Sequence, residues 1–401
     1  MGFRSRSSRL FAACAGLAFL SGPPTVQSAE YHLIPALSIS EIYNDNVFGS
    51  GTVKTADWIS TPEPSLGLSI TGAEHKQLFS YSMPFEFFWK RSELNTISYL
   101  GSYKADFQAD PRLLLTFSQR TSYSPEIATS IFPEASTQPE TFRKKSLRNA
   151  TEFGPRLKWT ERTDVAALSR VFFQKFNGAT PVPGAFTATN TFQAGETVSV
   201  EHRLSERDTL LSGVSYDHFW FEGESNATSI GPELGWNRKW FSSFETRTAA
   251  GLLEAWQGGG SSLSVTGSGS AFYKLVPWDV HVLYTRGLVG TPLSGGAVSA
   301  DTVSLGSTYS FRDVGSFGLG GGYFRTGLGS SVGGHLSGVF GDALFVMRLS
   351  RWITASASYE YRVQYGEPST PTSIGADFTR NRAVITLSVS PPVVEEAPKR
   401  L

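Results

Sequence analysis

Two-residue alternation, sustained far beyond the length of an ordinary strand, constrains this chain most. Residues 352–365 read WITASASYEYRVQY. Ile353, Ala355, Ala357, Tyr359, Tyr361, Val363 and Tyr365 share one face of an extended chain. Thr354, Ser356, Ser358, Glu360, Arg362 and Gln364 share the other, because successive side chains in a strand point to opposite faces. Ordinary strands run about 5–6 residues, so the apolar face needs a different solvent. Similar faces recur as Phe79, Tyr81, Met83, Phe85, Phe87 and Trp89, and as Val303, Leu305, Tyr309 and Phe311. A strand that crosses a bilayer at a tilt needs roughly 9–11 residues, and most of these runs meet that length.

The connections between runs are of two kinds. Tight ones fall at 72–77, 108–112, 160–164, 205–209, 241–245, 276–279, 311–316 and 349–352. Looser ones fall at 41–56, 91–95, 125–145, 178–189, 222–227, 257–261, 291–299, 328–335 and 366–375. The two kinds alternate strictly, as they do in meandering membrane barrels with short turns at one rim and longer loops at the other. Eight tight turns make eight hairpins, with one further strand at each end of the series. The expected fold is therefore all-β: a transmembrane antiparallel up-and-down β-barrel of about 18 strands, with 16 as the alternative count.

Tryptophan supplies an independent sign. Trp159, Trp240, Trp278 and Trp352 lie beside tight connections; Trp58, Trp89, Trp220 and Trp256 lie beside loose ones; Trp236 is somewhat removed from an end. Amphipathic rings collect at the two membrane interfaces, whereas a soluble β-protein would put tryptophan at strand centres. Glycine, at 40 of 401 residues, suits close packing in a curved wall. Equal basic and acidic totals of 35 each argue against nucleic acid as a partner.

Residues 1–28 read as a cleaved signal peptide: a basic start, the short apolar run LFAACAGLAFL, then small residues. Its removal takes Arg4, Arg6 and Arg9, leaving a mildly acidic chain without its single cysteine, Cys14. Disulfides, cysteine-ligated zinc and thiol catalysis are thereby excluded from the mature chain. The expected organisation is a leader over 1–28, a barrel over 29–390 and a disordered periplasmic tail over 391–401. Strand one starts so soon after the leader that no plug domain is expected.

The stretch PALSISEIYNDNVFGSGTVKTADWISTPEPSLGLSI, residues 35–70, resembles the opening of the beta-barrel porin type 2 group. The resemblance rests on an alternating first strand, then Tyr43, Asp45 and Asn46, a polar loop, Asp57 with Trp58, and a second strand. That group includes barrels associated with exopolysaccharide loci, so the resemblance implies an outer-membrane channel linked to exopolysaccharide export. Read from the residues alone, the motif is an Asn/Asp-rich turn that ends strand one.

With the apolar faces outward, the opposite parity lines a wet lumen. Lys104, Arg156, Lys158, Arg170, Arg348, Arg362, Arg380 and Arg382 are the basic candidates. Glu86, Asp106, Glu152, Glu201, Asp342 and Glu360 are the acidic ones. Residues 143–175 carry nine basic and three acidic residues, which makes one wall attractive to anions such as sugar acids or phosphates. The competing reading puts Arg143, Lys144, Lys145 and Arg148 at the outer rim on lipopolysaccharide phosphates. Loop 125–145 is the longest, and its position after strand five resembles that of a pore-narrowing loop.

Enzyme signals are weak. GSSVG at 329–333 lacks the strand-to-helix turn that a nucleophile elbow needs. Asp217 and His218 are neighbours in a strand and point to opposite faces. His32, His75, His202, His281 and His335 lack metal-ligand spacing, so neither metal nor cofactor is expected. The sequence reading is a porin-like channel of the bacterial outer membrane that passes small hydrophilic solutes or polysaccharide. Its partners would be membrane lipid, lipopolysaccharide and the barrel-assembly machinery; the oligomeric state is left open. The alternatives are a rim enzyme and a sealed structural or adhesive barrel.

Overall fold

The computed structural model describes residues 29–49, 53–125, 145–177, 190–291, 296–311, 314–327, 334–368 and 377–391. Residues 1–28 (the expected signal peptide), all but the first residue of the expected tail, and nearly all of loop 125–145 lie outside the described residues.

The wall opens with β1 (Glu30–Asn44) and β2 (Asp57–Thr71). β3 (His75–Ser82) and β4 (Phe85–Phe88) form one strand broken at Met83–Pro84; β5 (Thr96–Ile97) and β6 (Tyr99–Asp110) form its partner, broken at Ser98. Pro84 has no N–H to give the ladder. Its carbonyl still accepts from Ser98 N at 2.9 Å, and Met83 N donates to Pro64 O at 3.1 Å, which holds the halves together. Next come β7 (Leu113–Ser124), β8 (Ser146–Lys158), β9 (Thr163–Phe176), β10 (Thr191–Arg203) and β11 (Asp208–Phe221). β12 (Ala227–Phe241), β13 (Phe244–Gln257), β14 (Gly260–Leu275), β15 (Trp278–Thr291) and β16 (Gly296–Phe311) follow. β17 (Gly315–Gly327), β18 (Gly334–Arg348), β19 (Ile353–Pro368) and β20 (Phe378–Val389) complete the wall.

All twenty segments belong to one sheet, and two pairs are halves of single strands, so the wall has eighteen strands. Every neighbour pair is antiparallel, and β1 pairs with β2 on one side and with β20 on the other, over Leu37–Asn44, which closes the barrel. Closure removes the sheet edges that hydrocarbon would leave unsatisfied. The eight expected tight turns all fall between strands at one rim. At the opposite rim some connections are shorter than the sequence suggested. Gly258 (φ 60°) and Gly259 (φ 83°) alone join β13 to β14, in the left-handed backbone that a two-residue hairpin turn requires.

Phe219 of β11 identifies the interior face. It packs with Leu288 and Ala297, which lie on β15 and β16, strands that do not pair with β11, so the contact crosses the inside of the barrel. Register carries this face around the wall: Asp217 stands opposite Gly195, Gly195 opposite Arg170, and Arg170 opposite Glu152. The other parity holds the large exposed apolar side chains, among them Leu33, Val198, Leu234, Val265, Leu305 and Ile385. All nine tryptophans are exposed, at 39–71% of their full area. None is a core residue.

Candidate functional site in the barrel interior

The interior changes character along the barrel axis. Toward the tight-turn rim its polar side chains are open: Lys104, Lys158 and Arg348 are exposed. Toward the other rim an interior belt is buried, including Ser122, Arg148, Gln174, Arg362, Gln364 and Arg380. One arc of this belt is basic and amidic. Arg148 gives Nε and Nη2 to the Gln174 amide oxygen at 2.8 and 2.9 Å, with the amide oriented by that network. Arg362, 2% exposed, lies with its guanidinium 5.1 Å from the Phe324 ring centroid. Another arc is apolar, built from Phe219, Phe221, Phe324 and Leu336.

Opposite charges meet in small clusters along the interior. Arg156 reaches Glu201 at 2.5 Å and Asp164 at 3.6 Å. Arg120 reaches Glu152 at 3.5 Å, and Ser118 donates to the same carboxylate at 3.1 Å. Arg170 approaches Asp217 at 3.6 Å, and Gln193 donates to Asp217 at 3.0 Å. Asp342, Glu360 and Arg382 stand in one register row, with Arg380 at 3.1 Å from Glu360. Lys104 stands opposite Ser118, Asp106 opposite Lys76, Lys158 opposite Asp164, Arg348 opposite Thr354, and Glu86 opposite Thr96. Such interleaved pairs give a transverse field rather than a ring of one sign.

The segment seen to cross the interior is the tip of the β15–β16 hairpin. Cα atoms of β15 come within 8 Å of β10, and those of β16 within 8 Å of β11. Leu288 and Ala297 of the tip seat on Phe219 and Phe221. Sequence alternation could not reveal this tip: residues 291–299 read only as a loose connection, and a strand's period does not record which neighbours it pairs with.

Tyr43, Asp45, Asn46, Asp57 and Trp58 come together at the closing seam. Asp45 takes Asn381 N and Nδ2, each at 2.7 Å, and Asn46 Nδ2 donates to Thr379 O at 3.0 Å, which ties the end of β1 to β20. Asp57, 1% exposed, accepts from Trp58 N at 2.8 Å and Lys90 N at 3.0 Å. Tyr43 and Trp58 pack ring to ring at 5.3 Å on the outside. The arrangement is a clasp at the seam.

Asp217 and His218 engage separate partners. His218 Nδ1 is 2.6 Å from Thr228 Oγ1, while Asp217 meets Arg170 and Gln193 on the other face. Among the described residues, no group of three or more His, Cys, Asp or Glu is placed to hold a metal ion.

These features define a closed, eighteen-strand antiparallel β-barrel with a charged interior and an apolar exterior. No family model matches the chain, including any for the group that residues 35–70 resemble. No curated protein matches it. Among solved structures it is similar to OpdO of Pseudomonas aeruginosa, at 11% identity over 90% of this chain and 97% of that one, with a TM-score of 0.47. It is similar to OccK9 (OpdG) of the same organism, at 10% identity over 90% and 98%, with a TM-score of 0.48. A third similar structure is Pseudomonas aeruginosa OccK2 (OpdF) in complex with glucuronate, at 10% identity over 89% and 98%, with a TM-score of 0.46.

Proposed function

We propose that this barrel is a channel of the bacterial outer membrane that passes small hydrophilic solutes. The observation that carries the reading is the two-sided wall: exposed tryptophan and aliphatic side chains outside, and charged register rows inside a closed sheet. Water can follow the charged interior, whereas the outer face favours hydrocarbon. Arg148, Arg156, Lys158 and Arg170 line one sector on β8 and β9, and we assign them a bias toward anionic solutes. Lys104, Arg348, Arg362, Arg382, Glu86, Asp106, Asp342 and Glu360 complete the proposed water path. A link to exopolysaccharide export rests on the resemblance of residues 35–70 alone.

Reconstitution in planar bilayers tests the channel. Discrete conductance steps with a reversal potential displaced toward anions are expected. A second reading, a barrel sealed at rest, draws on the buried interior belt and the hairpin tip lying across the interior. It predicts insertion without steps.

A further inference from the structure

Among the described residues, the wall is incomplete on both sides of the β15–β16 hairpin. β14 pairs with β15 only up to Gly267 opposite Arg286. Above that level β14 continues beside β13 to Gly260, and β15 continues beside β16 to Thr291. On the far side, β16 pairs with β17 only up to Ala300 opposite Thr326, while β17 continues beside β18 to Gly327. The upper ends of β15 and β16 have left the wall to cross the interior, so among the described residues a notch opens between β14, which rises to Gly260, and β17, which ends at Gly327, one residue beyond Thr326. The notch runs from the row of Gly267 up to the level of Trp256, which stands opposite Ser261 on β14.

The sill of the notch is one register row on the outward face: Arg286, Asp301 and Arg325. Arg286 Nε donates to Val265 O at 3.0 Å, which satisfies a carbonyl freed where the ladder stops. Its Nη1 reaches Asp301 at 3.2 Å, and Tyr284 Oη donates to the same carboxylate at 3.1 Å. Arg325 is exposed, and among the described residues no carboxylate pairs with it. Leu263 and Val265, 71% and 57% exposed, form the outer lip.

A cavity of about 430 Å³ lies behind the sill. Its lining joins outward Arg286 and Arg325 to interior Glu233, Thr266, Thr285, Thr302 and Thr326, so it reaches from the sill toward the interior. The Thr326 hydroxyl, on a residue 4% exposed, lines this cavity without a hydrogen-bond partner.

We propose that the notch is a lateral entrance for an anionic amphiphile, a single apolar chain with a carboxylate head. The carboxylate head enters the mouth of the cavity, where it pairs with Arg325 and Arg286 and accepts from the Thr326 hydroxyl, and the chain lies against Leu263 and Val265. A charge-assisted contact at the level of the membrane interface is stronger than the same contact in water. The inference rests on the outer face being lipid-bathed, and it is independent of whether the main lumen conducts.

Octanoate is a suitable probe, measured by equilibrium dialysis against the full chain in lipid nanodiscs with empty discs subtracted. One saturable site is expected. Arg325→Gln should weaken it about tenfold, the loss of one charged hydrogen bond. Gly287→Trp should abolish it: Gly287 lines the cavity, and a Cβ there meets no atom within 4 Å, so the ring fills the space without moving the backbone. Gly269→Trp is the control, since Gly269 has equally open surroundings but faces outward on β14, below the notch. It should bind like wild type. Absence of a saturable site in an inserted wild-type barrel, undiminished binding by Gly287→Trp, or equal loss in Gly269→Trp would overturn the entrance alone. Failure of the wild-type chain to enter nanodiscs at all would overturn the membrane reading with it.

Discussion

At the scale of single residues, Asp57 and Arg156 show what the sequence discloses and what it withholds. Asp57 is a buried carboxylate whose acceptors are taken up by two backbone N–H groups. Asp57→Ala leaves those donors without a partner, which costs about 1–3 kcal/mol, so the urea midpoint for unfolding from vesicles should fall while single-channel conductance stays at its wild-type value. Arg156 sits between Glu201 and Asp164. Arg156→Gln frees both carboxylates to act on passing ions, and the reversal potential in asymmetric salt should move toward cations. The sequence marked both positions, Asp57 by its place beside an aromatic and Arg156 by its parity. It could not separate their roles, because parity gives the face of a strand and not the neighbour across the ladder. Arg148 is the clearer limit: the sequence left it between a basic wall and the outer rim, and its side chain is buried in the interior belt against Gln174.

At the scale of elements, period two made the hairpins legible and hid the bend. Each tight connection marked a real turn, since Gly, Pro, Asp and Ser there break alternation. β15 and β16 stay paired to each other as far as Thr291 and Gly296 while their hydrogen-bonding partners on both sides fall away, and no residue pattern records that loss. Loop 125–145 drew attention by its length, whereas the segment seen across the interior is reached by two strands that stay paired to each other after parting from their neighbours. Replacing Leu288–Ser299 with Asn-Gly would join β15 to β16 beyond Gly287 and Ala300, at the level where they leave the wall. Single-channel conductance should then rise, since the Leu288 and Ala297 seat on Phe219 and Phe221 is lost with the tip. Unchanged conductance would show that the narrowest passage lies elsewhere, in the belt of Arg148, Arg362 and Arg380.

At the scale of the whole molecule, the fold follows from a single inversion: the side chains that would form a core in a soluble protein are on the outside. Leu234 makes the inversion measurable. It lies near the middle of β12, with Ser212 and Ala250 beside it in register, and it is 65% exposed. On a protein surrounded by water, an exposed leucine accepts a charge at a cost within about 0.5 kcal/mol. At the midplane of a bilayer, arginine on the lipid face of a barrel costs about 2–4 kcal/mol. Leu234→Arg should therefore lower the unfolding free energy in vesicles by that larger amount, measured by reversible urea titration of tryptophan emission. Leu263→Arg, at the outer lip and near the interface, should cost about 0–1 kcal/mol by the same depth dependence. A small and equal effect at both positions would mean that water bathes the outer face, and the proposed channel and its lateral entrance would fall together. A large effect at Leu234 and a small one at Leu263 would place Leu234 in the hydrocarbon band and the outer lip of the notch at the membrane interface.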